Sequence, residues 1–154
     1  MSARAITGMV RRELPLLRVD ETVREGVEQI VAADAPALPV VDDDGKLCGI
    51  FGEREFIGAL FPGYLKTLDY AGFVPKSLEQ VLEKRATCGE EHVGKHMNTE
   101  HVDVGEDHSD TQVAEIFLHH RVLIVPIVDG GKVTGVITRG DFFRALADRL
   151  LHPG

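Results

Sequence analysis

The sequence predicts a mixed α/β (α+β) fold. Two β-α-β-β-α repeats pack sheet to sheet with pseudo-two-fold symmetry, and a helical insertion separates them. Three observations predict this. Pro39-Val40-Val41-Asp42 recurs as Pro126-Ile127-Val128-Asp129, 87 positions on. Gly49-Ile50-Phe51-Gly52-Glu53-Arg54-Glu55 recurs as Gly135-Val136-Ile137-Thr138-Arg139-Gly140-Asp141, 86 positions on. Between these phrases each copy carries a glycine turn, Asp43-Asp44-Gly45-Lys46 or Gly130-Gly131-Lys132, and the second turn is one residue shorter. A long-period repeat of this kind governs the whole architecture. A unit of about 55–60 residues buries too little apolar surface to stand alone, so the two must share a core.

Each element follows in order. A short strand is expected at Leu16 to Val19 and again at His101 to Val104. Val23, Val27, Ile30 and Val31 have the spacing of a one-sided helix, as do Val113, Ile116 and Phe117, with Ser109 or Asp110 as N-cap. The apolar runs Ala37 to Val41 and Val122 to Val128 are continuous, as in strands covered on both faces. After each glycine turn comes a second strand, the repeated phrase, and a helix. In the last helix, Phe142 to Leu151, residues Phe142, Phe143, Leu146 and Leu150 lie mostly along one stripe. In the insertion, Tyr64 to Ala71 is expected to form a short helix. Ser77-Leu78-Glu79-Gln80 reads as a capping box opening a helix through Arg85, with Leu78, Val81 and Leu82 on one face. Phe61, Tyr64, Leu65, Leu68, Tyr70 and Phe73 make this segment too apolar for a flexible linker.

Composition excludes several functions. The chain has 154 residues, 44% of them hydrophobic and 27% charged, with a net charge of −8. That balance argues against nucleic acid as a partner, which would call for a basic stripe. No apolar run approaches the roughly 18 residues of a membrane span, and the N-terminus lacks an apolar signal stretch. Cys48 and Cys88 form no C-x-x-C pair and no disulfide framework. The expected setting is the reducing cytoplasm.

The repeated phrase carries the candidate site. Thr138 follows a strand and precedes a helix, where threonine is a natural N-cap and Asp141 an N3 acid. A capping role alone explains this T-x-x-D. The same helix start is also a place for anions, because its free N–H groups and dipole favour negative charge. A threonine hydroxyl can donate to a phosphate, and a carboxylate one turn on can accept from both hydroxyls of a ribose. Arg139 adds a cation beside the phosphate position or points to solvent.

The ordered set P-V-V-D, glycine turn and G-h-h-T-x-x-D, repeated after β-α units, resembles the tandem cystathionine-β-synthase-type domain, the CBS pair or Bateman module. The resemblance covers Ile6 to Leu60 and Val93 to Leu151. Val93-Gly94-Lys95-His96-Met97-Asn98 is similar to that family's lead-in helix, with Ile6-Thr7-Gly8-Met9 as its first-copy equivalent. It divides the chain into a first CBS repeat at 1–60, an insertion at 61–92 and a second repeat at 93–154.

The resemblance implies a standalone regulatory protein, not an enzyme. It would bind an adenosyl compound such as AMP, ADP, ATP or S-adenosylmethionine in a cleft between the repeats. No cofactor is required, and a homodimer is expected, with a regulated protein as a further partner. Carried onto this chain, Thr138 would contact phosphate or ribose and Asp141 would hold the ribose hydroxyls. Val125, Ile124 and Val102 would lie near the adenine. Arg121 either reaches a phosphate or serves the surface. The first copy departs from the pattern, since Gly52 has no hydroxyl and Glu55 has a longer side chain. Its cleft is therefore expected to be degenerate, unless Gly52 makes room for a bulkier phosphate group with Arg54 as counter-charge. The competing expectation is a dimerisation or partner-binding module that uses T-x-x-D only as a cap.

Other constellations carry less. The chain has seven histidines, but His119 and His120 are adjacent on an expected helix and point about 100° apart. No ligand spacing for zinc appears, so no metal site is assigned. Asp42-Asp43-Asp44 lacks the alternation of a calcium loop and reads as a turn. Arg139-Gly140-Asp141, an adhesion tripeptide by spelling, falls at a helix start. No nucleophile, base and orienting group assemble from motifs.

Overall fold

The computed structural model describes residues 5–61 and 77–154. The first repeat contributes α1 (Ile6–Val10), β1 (Leu17–Arg18), α2 (Val23–Ala33), β2 (Ala37–Val41), β3 (Leu47–Gly52) and α3 (Glu53–Leu60). Helix α4 (Leu78–Lys84) and a 3-10 turn at Cys88–Glu90 follow. The second repeat contributes α5 (Val93–His96), α6 (Asp110–His119), β4 (Ile124–Asp129), β5 (Lys132–Thr138) and α7 (Arg139–Leu151).

The helices begin where polar side chains can cap them. Thr22 accepts from the Glu25 N–H while Glu25 reaches back, a full capping box at the start of α2. Ser77 accepts from the Gln80 N–H at 3.3 Å and starts α4 as expected. Ser109, rather than Asp110, caps α6. The expected helix at Tyr64 to Ala71 lies outside the described residues.

One sheet has the order β1-β2-β3, with β1 parallel and β3 antiparallel to β2. The other pairs β4 with β5 antiparallel. The strand expected at His101 to Val104 shrinks to a single parallel bridge between Val104 and Ile127. Gly45, Gly130 and Gly131 have φ of 80°, 60° and 85°, the left-handed region that the hairpin turns require. The two turns meet where the Leu47 N–H donates to the Gly131 carbonyl at 2.9 Å.

All five residues of β2 are buried, as the continuous apolar run anticipates. Between the sheets lies a small shared core of Ala37, Ile50, Ile124 and Val136. These are two symmetry-related pairs, since Ala37 corresponds to Ile124 and Ile50 to Val136. The sheets thus pack face to face through matching positions of the repeat.

The lead-in helices are exchanged. Ile6 of α1 sits in the core of the second repeat with Val113, Ile127 and Phe142, whereas Val93 of α5 sits in the first-repeat core with Leu17 and Phe51. Asp110 holds α1 in place, accepting from the N–H groups of Ile6 and Thr7 at 2.9 and 3.0 Å. Reciprocally, the Val93 and Gly94 N–H groups donate to the carbonyls of Glu21 and Val19. After each helix the chain adds a short backbone pairing. Arg12 pairs with Val136, and Asn98 pairs with Ile50.

Two expected apolar stripes are narrower than the spacing suggests. Val31 of α2 is 73% exposed, so only Val23, Gly26 and Ile30 are buried on that helix. On α7 Phe142 turns into the core, against Phe117 at 5.7 Å between ring centroids. Phe143, Leu146 and Leu150 instead form an outer row, exposed by 66%, 44% and 80%. Adjacent residues on a helix point about 100° apart, so Phe142 and Phe143 cannot share one face. On α4 only Val81 is buried, and Leu78 and Leu82 are exposed.

Candidate functional site

The start of α7 opens into a cleft of about 610 Å³ between the repeats. Thr138 caps this helix, accepting from the Asp141 N–H at 3.1 Å, and is itself buried. The Asp141 carboxylate takes no part in that cap. It lies 3.4 Å from Arg144 and 4.0 Å from Arg12. Thr138, Arg139 and Asp141, expected together, do line one cleft.

The opposite wall comes from the first repeat. Asp34 and Pro36, at the end of α2, and Glu53, at the start of α3, line it together with Leu123. Arg12 bridges the two walls. Its guanidinium donates to the carbonyls of Ala33 and Asp34 at 2.6 and 3.2 Å, which places a cation against the carbonyl end of α2. Its main chain meanwhile pairs with β5.

Other candidates lie elsewhere. Val125 and Ile124 are fully buried, in the second-repeat core and the inter-sheet core respectively, and Val102 packs against the second-repeat core. Residues 124–127 of β4 are buried, and none of them lines the cleft. The residue before the strand, Leu123, does, facing Pro36 of the other repeat. Arg121 also stands apart from Thr138, because each cleft combines a helix start from one repeat with a helix end from the other. Asp34, the counterpart of Arg121, occupies the Thr138 cleft.

Arg121 lines a second cleft of about 430 Å³ with Arg54, Glu55, Asn98, His119 and His120. Here the helix start is organised differently. The Gly52 N–H donates to Glu55 Oε1 at 2.9 Å, so the carboxylate is folded back onto its own helix. Burial raises the Glu55 pKa above its usual value, against the lowering effect of these backbone hydrogen bonds and of Arg54. His119 ends α6, and His120 has already left helical geometry, with φ −125° and ψ 141°. The two imidazoles therefore line the same cleft despite their adjacency.

Sequence reasoning missed Arg12, Asp34, Pro36, Glu53, Leu123, Gly140 and Arg144 in the first cleft. Arg144 had a signal, since it falls one turn beyond Asp141. Arg12 also had one, lying just past a lead-in helix recognised in both copies. Asp34 and Glu53 required knowing that opposite repeats meet across the cleft.

Among the described residues no group of three or more histidine, cysteine or acidic side chains could hold a metal ion. No helix among them is long and apolar enough to cross a membrane.

Two related α/β repeats with exchanged lead-in helices, meeting across paired clefts at the helix starts, define a tandem two-repeat module. The chain belongs to the CBS domain family, whose model matches residues 4–62 and 93–148, so this is a CBS pair. It is 27% identical over 148 residues to the CBS domain-containing protein CBSX1, chloroplastic, of Arabidopsis thaliana. That match covers 88% of this chain and 60% of the relative, so the chain spans less than two thirds of that relative's length. Among solved structures it is similar to CBSX2 in complex with AMP, with a TM-score of 0.66, 21% identity, and 95% and 98% of the two chains covered. It is also similar to the CBS pair of protein MJ0100 in complex with 5′-methylthioadenosine and S-adenosyl-L-methionine. There the TM-score is 0.71 and the identity 18%, with 95% and 98% covered. At these identities the solved structures establish the fold.

Proposed function

We propose that this CBS pair binds an adenosyl nucleotide, AMP, ADP or ATP ahead of S-adenosylmethionine, in the Thr138 cleft. The observation that carries the reading is the carboxylate of Asp141, which its own helix cap leaves unused. It lines the cleft one turn from the Thr138 hydroxyl, while the matching Glu55 is consumed by its own helix start. Thr138 accepts one hydrogen bond as a cap and keeps its hydroxyl proton to donate. Arg12, Arg139 and Arg144 line the same cleft and suit an anionic phosphate better than a cationic sulfonium. The AMP complex of CBSX2 supports the ligand class.

The ligand acts as an energy or metabolite signal only if it favours one arrangement of the repeats. Arg12 supplies the means. It joins the end of α2 to the vicinity of Asp141, so a ribose taking that carboxylate would loosen or redirect a contact between repeats. The row Phe143, Leu146 and Leu150 is the proposed homodimer surface, through which a change reaches a regulated partner. Regulation rather than catalysis is the proposed role. A reducing compartment such as the cytoplasm fits the free thiols of Cys48 and Cys88.

Thermal shift with AMP, ADP, ATP and S-adenosylmethionine tests this. At 100 times the dissociation constant a ligand adds about 2.7 kcal/mol. Asp141→Ala should abolish most of the shift, and Glu55→Ala should leave it. No shift with any of the four at millimolar concentration would reject nucleotide sensing and leave the dimerisation reading, with T-x-x-D as a cap only.

A further inference from the structure

The second cleft differs from the first in charge as well as in its helix start. Arg54 stands where the first cleft has Gly140, and Arg121 stands where it has Asp34. His119 and His120 replace Ala32 and Ala33. The side chains of His119, His120 and Arg121 make no hydrogen bond or ion pair among the described residues. Glu55 lines the cleft with Oε1 accepting from the Gly52 N–H, and Asn98 turns its side-chain oxygen to the Glu100 N–H at 2.9 Å. Among the described residues that line the cleft, Glu100 is thus the one uncommitted carboxylate beside two guanidiniums and two imidazoles.

The carboxylate at this helix start is folded back onto its own N-cap, unlike that of Asp141, and arginine guanidinium forks stand on both walls. Such forks bind oxyanions in bidentate fashion. We propose that the second cleft binds a compact condensed phosphate of the pyrophosphate class, held between Arg54 of α3 and Arg121 beyond α6. The two clefts then take different ligand classes, one a nucleoside phosphate and one an anion without a nucleoside. The inference does not depend on nucleotide binding in the first cleft.

Calorimetric titration of the full chain with sodium pyrophosphate at fixed ionic strength provides the test. The expected result is one saturable site per chain. Arg54→Ala and Arg121→Ala should each weaken it about tenfold, with Asp141→Ala unchanged. Saturating AMP should leave the pyrophosphate affinity as it was. Four results would overturn the proposal: no saturable binding at millimolar pyrophosphate, arginine variants within twofold of the parent, displacement by AMP, or tighter binding of ADP than of pyrophosphate at the Arg54/Arg121 site. Pyrophosphate binding in a protein that ignores every adenosyl ligand would reject the nucleotide reading and leave this one standing.

Discussion

Gly52→Ala is the sharpest test of why the two copies of the phrase differ. A Cβ built at Gly52 would lie 2.4 Å from the Ala37 Cβ, 2.5 Å from the Pro36 carbonyl oxygen and 2.8 Å from the Ala37 Cα. Two of these are backbone atoms and cannot swing aside. The cause is a backbone rotation, with φ −153° at Gly52 and −89° at Thr138, which aims the missing side chain at the α2–β2 connection. Overpacking of this kind costs about 1–3 kcal/mol, and contact with backbone favours the upper part of that range. For a chain of this size each kcal/mol moves the melting temperature by about 2–4 °C. Gly52→Ala should therefore melt about 4–12 °C lower, read by differential scanning fluorimetry and by urea denaturation at one protein concentration. Gly58→Ala is the internal control. Gly58 lies in the same helix α3, is exposed, and meets nothing within 4 Å of a built Cβ. Removing glycine's backbone freedom there should stabilise by about 0.5–1 kcal/mol. The reasoning is refuted if Gly52→Ala is as stable as the parent, or if both variants shift in the same direction. Gly52→Thr should behave like Gly52→Ala and should not create a second nucleotide site.

Three further outcomes follow from the contacts. Asp110→Ala removes the acceptor for two N–H groups of α1, and should cost about 1–2 kcal/mol in urea denaturation while speeding amide exchange at Ile6 and Thr7. Glu106 is held by hydrogen bonds from Arg11 and Thr134, which lower its pKa from 4.5 to about 2. A depressed carboxylate stabilises above its usual pKa, and the effect is lost as pH falls through the folded value. Glu106→Gln should thus flatten the stability profile between about pH 4.5 and 2 and leave its alkaline side unchanged. If the proposed dimer forms through α7, Leu150→Glu together with Phe143→Glu should shift the parent's dimer to a monomer in sedimentation velocity without lowering helix content, because both side chains are exposed on α7, and a monomeric parent would reject that surface.

The fold was legible where the sequence repeats itself. The β2 and β4 runs, the glycine turns and the two helix starts follow from apolar continuity, positive φ and capping chemistry, all of which are local. The partners of α1 and α5 were not legible. Ile6 and Val93 look alike in sequence, and nothing local says that each packs on the other repeat. The same gap hid Asp34 and Glu53 from the Thr138 cleft, and Arg121 from the second cleft that it lines. Thr138 and Asp141 were found because a cap is a local motif. The side chains near the strand expected beside the adenine were less legible, because Ile124 and Val125 are fully buried while Leu123, just before β4, lines the Thr138 cleft.

Both helix starts satisfy their backbone, but with opposite groups. In the second copy a hydroxyl accepts from the N3 N–H, as Thr138 does from Asp141. In the first copy the N3 carboxylate accepts from the N-cap N–H, as Glu55 does from Gly52. Either bond alone starts a helix, so fold stability does not require the two copies to match. The choice has a consequence for chemistry, because the bond that uses a hydroxyl leaves the Asp141 carboxylate to the arginines of its cleft, and the bond that uses the carboxylate ties one oxygen of Glu55 to its own helix start. Where glycine is enforced by Pro36 and Ala37, only the second solution is open, and glutamate has the reach to close it. The steric constraint at Gly52 thus leads, through the cap, to a glutamate folded onto its own helix start in a cleft lined by arginines and histidines, and it is on this difference that the proposal of a different ligand class for each cleft rests.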